Sequence, residues 1–165
     1  MLRSITCTFI GLGNMGRELC GRIGSAGFPT LAYDVNPEAA KYAEDHFENV
    51  TQSDLLKALK NSSVVFSCLP NSNLVREIVD KILHQEEILD NVQYWVDTTS
   101  GHPGESQRIA ADLKSQGVLF FDCAVSGGPA GATAGTLTAM VGGDPDSFTE
   151  VGNIISSFAK NIVHL

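Results

Sequence analysis

The chain has 165 residues, which predicts one domain, and its 43% apolar and 18% charged content is typical of a globular protein rather than a disordered chain. Eleven Lys and Arg against 19 Asp and Glu give a net charge of −8, so no nucleic-acid partner is expected. No apolar run reaches the length that spans a membrane, so no membrane partner is expected either.

The first two thirds of the chain predict alternating strands and helices. Residues 5–10 are apolar and β-branched and predict a strand, followed by a glycine-rich turn at 11–16 and a helix at 17–25. A second strand at 30–33 ends at Asp34 and completes a βαβ unit. The pattern continues with helices at 37–46 and from 53, a strand at 64–68, a helix at 73–83, a strand at 92–96, a helix at 103–115 and a strand at 118–121.

The last third differs, because residues 126–135 are dense in Gly, Ala and Pro and predict a long loop before a strand at 137–141. Loops of that length inside a compact domain are usually functional. A helix at 144–159 and a short strand at 162–163 are predicted to follow. Strands that alternate with helices in this way indicate a Rossmann-type α/β fold, doubly wound around a mostly parallel sheet.

The glycine turn predicts a dinucleotide site, because it follows a strand and opens a helix whose first amides can bind phosphate. About 20 residues further on, at the usual spacing, an aspartate can accept hydrogen bonds from ribose hydroxyls. No Arg or Lys follows to hold a 2′-phosphate, so NAD is preferred over NADP. The predicted residues are Gly11, Leu12, Gly13, Asn14, Met15, Gly16, Asp34, Val35 and Asn36. The alternative is that the glycines only pack a helix and the aspartate only caps one.

Three further segments occur in a recognisable order. Leu69-Pro70 ends one strand, Asp97-Thr98-Thr99-Ser100-Gly101-His102-Pro103 ends another, and residues 122–143 contain Ser126-Gly127-Gly128 and Gly142-Gly143. Together with the glycine turn, these segments resemble the signatures of the β-hydroxyacid dehydrogenase family, which includes enzymes of the 3-hydroxyisobutyrate dehydrogenase and 6-phosphogluconate dehydrogenase types. The resemblance spans nearly the whole chain. It implies that the chain is the N-terminal NAD(P)-binding domain of such an enzyme.

The resemblance adds residues to the expected site. It implies that Leu69, Pro70, Thr99 and Ser100 line the cofactor, and that Ser126, Gly127 and Gly128 bind a small carboxylate substrate. A hydroxyl beside exposed glycine amides suits a carboxylate. Two alternatives remain open: Thr99 and Ser100 as the N-cap of the helix that starts at Pro103, and Ser126 to Gly128 as a flexible turn.

The resemblance also implies what the chain would lack. Family members continue past the position of Leu165 into a helix with a catalytic Lys and an all-α domain that forms the dimer. We therefore expect no catalytic residue in this chain, and cofactor binding without turnover, whereas the full-length protein would be a homo-oligomer. That protein would oxidise a small 3-hydroxy acid, or reduce the matching semialdehyde, by hydride transfer. His102 is nearest by position but is interpreted as a solvated loop histidine.

Two other functions remain open: a non-enzymatic nucleotide-sensing or protein-interaction module, and one domain of a larger multifunctional chain. The four cysteines form no CxxC pair and are interpreted as buried thiols, without disulfide or metal. The chain runs from Met1 almost directly into a strand, so we expect a cytoplasmic protein, or a mitochondrial one if a presequence was removed.

Overall fold

The computed structural model describes residues 4–165. The strands in this part of the chain are β1 (Cys7–Ile10), β2 (Thr30–Tyr33), β3 (Val50–Gln52), β4 (Val64–Ser67), β5 (Tyr94–Asp97), β6 (Leu119–Ser126), β7 (Leu137–Gly142) and β8 (Ala159–His164). The helices are α1 (Gly16–Ser25), α2 (Pro37–His46), α3 (Leu55–Lys60), α4 (Ser72–Leu83), α5 (Pro103–Ser115), α6 (Gly128–Ala134) and α7 (Phe148–Ile155). Within this range no helix is long and apolar enough to cross a lipid bilayer.

The strands form one sheet in the order β3-β2-β1-β4-β5-β6-β7-β8. The first six strands are parallel, β7 is antiparallel to β6, and β8 is parallel to β7. The chain moves outward from β1 to β3 and then returns to place β4 on the other side of β1. This arrangement confirms the predicted doubly wound, mostly parallel α/β fold, and the gap beyond β1 and β4 is the switch point where such sheets bind ligands.

Helices cover both faces of the sheet, so the central strands are buried on each side. One hydrophobic cluster packs α1, α2, α6 and α7 against the sheet, and the other packs α3, α4 and α5 against the opposite face. All four residues of β1 and of β4 are buried. Their continuous apolar or small-polar sequences are typical of parallel strands that lie between two helical layers.

The predicted loop at 126–135 is wrong, because residues Gly128–Ala134 form α6. Three alanines favour a helix, a proline lies in its first turn, and Gly135 ends it in the left-handed conformation with φ 70°. Ala132 is fully buried in the cluster that also contains α1. The many glycines of this segment favoured a loop prediction, because glycine is a poor helix former. Packing against α1 supplies the stabilisation that so short a helix needs.

Other elements differ in extent. The sequence did not predict β3, a three-residue strand with one buried side chain that pairs with β2 at the sheet edge. Strand β6 continues to Ser126 because it pairs with β7 as far as Ser126 and Thr138. The last helix ends at Ile155 instead of residue 159, because Ala159 already pairs with Leu137 in β8.

Candidate functional site

The predicted site residues meet at the carboxyl edge of the parallel strands. The turn after β1, the end of β2 and the segments after β4 and β5 all open toward this edge. Backbone hydrogen bonds hold the first two together, since Gly11 N donates to Tyr33 O at 3.0 Å. The segment after β4 is attached by Cys68 N, which donates to Ile10 O at 2.9 Å. The switch point of the sheet thus carries the glycine turn in its middle.

Each of the three glycines of the turn meets a different physical demand. Gly11 has φ +96°, and a Cβ there would lie 2.2 Å from Cys68 O. A Cβ on Gly16 would lie 2.0 Å from Gly11 O, so Gly16 lets α1 pack closely on the turn. A Cβ on Gly13 would meet no atom within 4 Å, so this glycine faces open space. A tight turn, a close helix contact and an open approach for the ligand are what pyrophosphate binding requires of the three positions.

The turn also presents free donors to that open space. Among residues 4–165 we find no acceptor for the backbone amides of Gly13, Asn14 and Met15. Gly13 and Asn14 are exposed, and α1 begins directly afterwards at Gly16. Unpaired amides at the start of a ten-residue helix, whose dipole is positive at this end, suit a phosphate group. The residues present therefore fit the pyrophosphate of a dinucleotide.

Asp34 lies beside the turn and is held there by two hydrogen bonds. Its Oδ2 accepts from Leu12 N at 2.7 Å and its Oδ1 accepts from Asn36 N at 2.9 Å. Each carboxylate oxygen can accept a second bond, so ribose hydroxyls can still reach it. The Asn36 side chain caps α2 by accepting from Glu38 N, and the Val35 side chain is 85% exposed. The side chains that follow Asp34 thus offer no positive charge.

A cavity of about 480 Å³ runs from the glycine turn along α4. Its lining includes Gly13, Asn14 and Asp34 at the polar end. The apolar part is lined by Leu55, Leu69, Pro70, Leu74 and Ile78, with Glu77 and Lys81 at its outer end. Leu55, Leu74 and Ile78 were not predicted from the sequence; Leu55 begins α3, and Leu74 and Ile78 lie one turn apart on α4. Their apolar slot suits a flat aromatic base.

The two hydroxyl residues after β5 have different surroundings. Thr99 is 4% exposed, and its Oγ1 accepts a hydrogen bond from Leu69 N at 2.9 Å. Ser100 is exposed at the sheet edge. Neither caps α5, because the N-cap is His102, whose Nδ1 accepts from Gly104 N at 3.1 Å. The alternative of Thr99 or Ser100 as the cap is therefore wrong.

The predicted substrate residues lie between β6 and α6. Ser126 is exposed at the end of β6, and Gly127 and Gly128 have φ +131° and +65°. A Cβ on Gly127 would lie 2.9 Å from the Leu137 side chain, whereas one on Gly128 would meet nothing within 4 Å. The segment is thus a turn that packs on β7, with the Ser126 residue exposed and free space beside Gly128.

Comparison with known proteins fits this geometry. Residues 6–165 match the family model described as the NAD-binding domain of 6-phosphogluconate dehydrogenase. The chain is 32% identical over 159 residues to human mitochondrial 3-hydroxyisobutyrate dehydrogenase, covering 94% of this chain and 46% of that protein. The chain belongs to the β-hydroxyacid dehydrogenase family. Within that family it corresponds to the N-terminal NAD-binding domain.

Solved structures agree with the family assignment. The Mycobacterium tuberculosis 3-hydroxyisobutyrate dehydrogenase with L-serine superposes with a TM-score of 0.87 at 29% identity, covering 98% of this chain and 54% of that one. A structure titled Psf3 in complex with NADP+ and 2-OPP gives a TM-score of 0.84 at 25% identity, covering 97% and 56%. The β-hydroxyacid dehydrogenase domain described here thus spans about half the length of the relatives that it matches.

Titratable groups of this dehydrogenase domain are mostly structural. His102 is exposed, and its Nδ1 accepts a hydrogen bond from Gly104 N, so its role is to cap α5. Burial raises the pKa of Cys7 and of Cys123 to about 12, which keeps both thiols protonated, and burial also raises the pKa of Cys20. Cys68 is only partly buried and lines the cavity. Residues 4–165 hold no cluster of three or more His, Cys, Asp or Glu that could bind a metal.

Two aspartates of the family signatures lie side by side on neighbouring strands. Asp97 of β5 pairs in register with Asp122 of β6. Burial raises the pKa of Asp97, which is 2% exposed, and partial burial raises the pKa of Asp122. Asp97 Oδ1 accepts from Ser67 Oγ at 2.8 Å and from Thr99 N at 3.1 Å. Asp97 thus supports Thr99 from below by accepting its backbone hydrogen bond.

Proposed function

We propose that this domain binds NAD(H), in preference to NADP(H), for an enzyme that interconverts a small 3-hydroxy acid and its semialdehyde. The observation that carries the proposal is the open space at Gly13, where the amides of Gly13, Asn14 and Met15 have no acceptor among residues 4–165 and the Asp34 carboxylate lies alongside. A bound NAD(H) would supply the hydride chemistry that this interconversion requires. The names of the relatives as 3-hydroxyisobutyrate dehydrogenases support this reaction class.

The proposed preference for NAD rests on the negative charge at Asp34. The 2′-phosphate of NADP would approach the Asp34 carboxylate, which already accepts two backbone hydrogen bonds and carries a negative charge. One structural relative is titled as a complex with NADP+, so the fold itself does not exclude that cofactor. The choice therefore depends on this chain's own residues, of which Asp34 lines the cavity beside the glycine turn.

Fluorescence titration of the 165-residue chain with NADH and with NADPH tests this choice. We expect NADH to bind at least about tenfold more tightly, a difference of about 1.4 kcal/mol. In Asp34→Asn an acceptor oxygen remains for Leu12 N, but the charge is lost, so the ratio of the two affinities should fall toward one. Tighter binding of NADPH by the wild type would contradict the proposed preference.

Substrate binding is proposed for the turn at Ser126 to Gly128. The exposed Ser126 hydroxyl and the open backbone at Gly128 suit a carboxylate, and their place at the end of β6 puts them on the same edge of the sheet as Ser100. We propose that residues outside 4–165 contact the apolar side of the substrate. They would also supply the base that takes the proton of its hydroxyl group. Supporting this, His102, the histidine of the segment after β5, caps α5.

This assignment predicts binding without turnover. We expect the 165-residue chain, mixed with NAD and 3-hydroxyisobutyrate or L-serine, to produce no NADH detectable by absorbance, although NADH itself binds. Turnover that is lost in His102→Ala would show instead that the chain holds its own base. A wild-type chain that binds neither NADH nor NADPH would refute the cofactor role as a whole.

A further inference from the structure

The Thr99 hydroxyl is turned inward, away from the open edge of the sheet. It is 4% exposed, and its oxygen accepts the backbone hydrogen bond from Leu69 at 2.9 Å. This bond joins the segment after β5 to the segment after β4, thirty residues apart in the chain. The neighbouring Ser100 is exposed instead. Thr99 and Ser100 therefore serve different purposes, although the sequence presents them as equivalent hydroxyl residues.

Thr99 is itself held by a buried chain of hydrogen bonds. Thr99 N donates to Asp97 Oδ1, and Ser67 Oγ donates to the same oxygen. Trp95 Nε1 in turn donates to Ser67 Oγ at 2.9 Å. Trp95, Ser67 and Asp97 are each at most 2% exposed. Because buried polar groups that are fully paired make a rigid network, the position of Thr99 is tightly determined.

Leu69 connects Thr99 to the glycine turn, because its side chain packs beside Gly11. Its side chain lines the cavity, and its Cδ2 lies 2.8 Å from the point where a Cβ on Gly11 would be. The Leu69 backbone amide makes its hydrogen bond to Thr99 in a partly buried position, so leaving it without an acceptor is unfavourable. Loss of the Thr99 hydroxyl would leave that amide to find another partner by moving the segment that contacts the turn.

We propose that Thr99 is a positioning residue, which fixes Leu69 against the glycine turn and thereby shapes the phosphate end of the cofactor site. The proposal rests on the cofactor role proposed above. This role can be distinguished from a direct contact with the nicotinamide, because the two roles affect different halves of the cofactor. A residue that touches the nicotinamide would matter for NADH only, whereas one that acts through Leu69 and Gly11 matters equally for ADP-ribose, which has no nicotinamide.

Calorimetric titration of the chain with NADH and with ADP-ribose tests this difference. In Thr99→Val, which keeps the shape and removes the hydroxyl, we expect both ligands to bind roughly fivefold more weakly, as for one lost hydrogen bond. Thr99→Ser should bind both within about twofold of the wild type, since a hydroxyl contributes the same acceptor. Amide hydrogen exchange at Leu69, followed by NMR, should be faster in Thr99→Val and normal in Thr99→Ser.

Thr8→Val is the matched control. Thr8 is fully buried and its hydroxyl is bonded to Ser62 Oγ at 2.7 Å, at the amino end of the strands and away from the site. The Thr8→Val variant should be less stable than the wild type but should bind NADH and ADP-ribose with unchanged affinity. Equal weakening by Thr8→Val, unchanged binding by Thr99→Val, or weakening of NADH alone would each overturn the proposal. A wild-type chain that binds neither ligand would instead refute the cofactor role, and this proposal with it.

Discussion

Alanine at Gly13 should weaken cofactor binding while leaving the fold as stable as before. A Cβ at this position would meet no atom of the chain within 4 Å, and its backbone does not have positive φ. The free energy of unfolding should therefore change by no more than about 0.5 kcal/mol, as for an ordinary surface substitution. The added methyl would stand where the pyrophosphate approaches the backbone, so NADH affinity should fall at least about tenfold.

Gly16→Ala provides the contrast within the same turn. Its Cβ would lie 2.0 Å from Gly11 O, which is backbone and cannot move aside cheaply. Overpacking of this kind costs roughly 1–3 kcal/mol. For a chain of this size, each kcal/mol lowers the melting temperature by about 2–4 °C. We expect Gly16→Ala to melt several degrees lower than Gly13→Ala.

Thermal unfolding and NADH titration of both variants measure the two effects separately. The expected pattern is a stable Gly13→Ala that binds weakly and a destabilised Gly16→Ala. NADH affinity of Gly13→Ala within about twofold of the wild type would refute the inference that the ligand approaches over Gly13. A Gly13→Ala variant less stable than Gly16→Ala would refute the steric account of the turn.

Two further predictions follow from buried titratable groups. Because burial raises the pKa of Asp97, its contribution to stability is fully present below the unfolded value of about 3.9 and is lost as pH rises through the folded pKa. The free energy of unfolding of the wild type should thus fall relative to Asp97→Asn as pH rises above that value in urea titrations, and a difference independent of pH would contradict this. With pKa values of about 12, Cys7 and Cys123 should resist alkylation at neutral pH until the chain unfolds. Burial also raises the pKa of Cys68, so we expect its alkylation to be slow and to become slower still when NADH occupies the cavity that it lines. Mass spectrometry of the labelled peptides checks the second prediction, and equal labelling of Cys68 with and without NADH would refute its place in the cofactor cavity.

The sequence determined the parts of this protein that depend on neighbours along the chain. The glycine turn and the strand end at Asp34 lie in one βαβ unit, and β2, α2 and α5 have the predicted bounds. Helix α2 shows why, since Pro37 occupies its first turn and Asn36 caps it. Local signals of this kind are independent of the rest of the fold. The family signatures likewise identified the family to which the chain belongs.

Tertiary structure decided what depends on contacts between distant segments. Strand β3 exists because β2 offers it an edge, and α6 is stabilised by packing against α1. The apolar slot is formed by Leu55 of α3 and by Leu74 and Ile78 of α4, two helices that come together only because both pack on the sheet. Thr99 and Ser100 are adjacent hydroxyl residues in sequence, yet the pairing of β4 with β5 turns Thr99 inward to the Leu69 amide and leaves Ser100 at the surface. Hydrogen bonds between neighbouring strands, which no local pattern records, separate their roles.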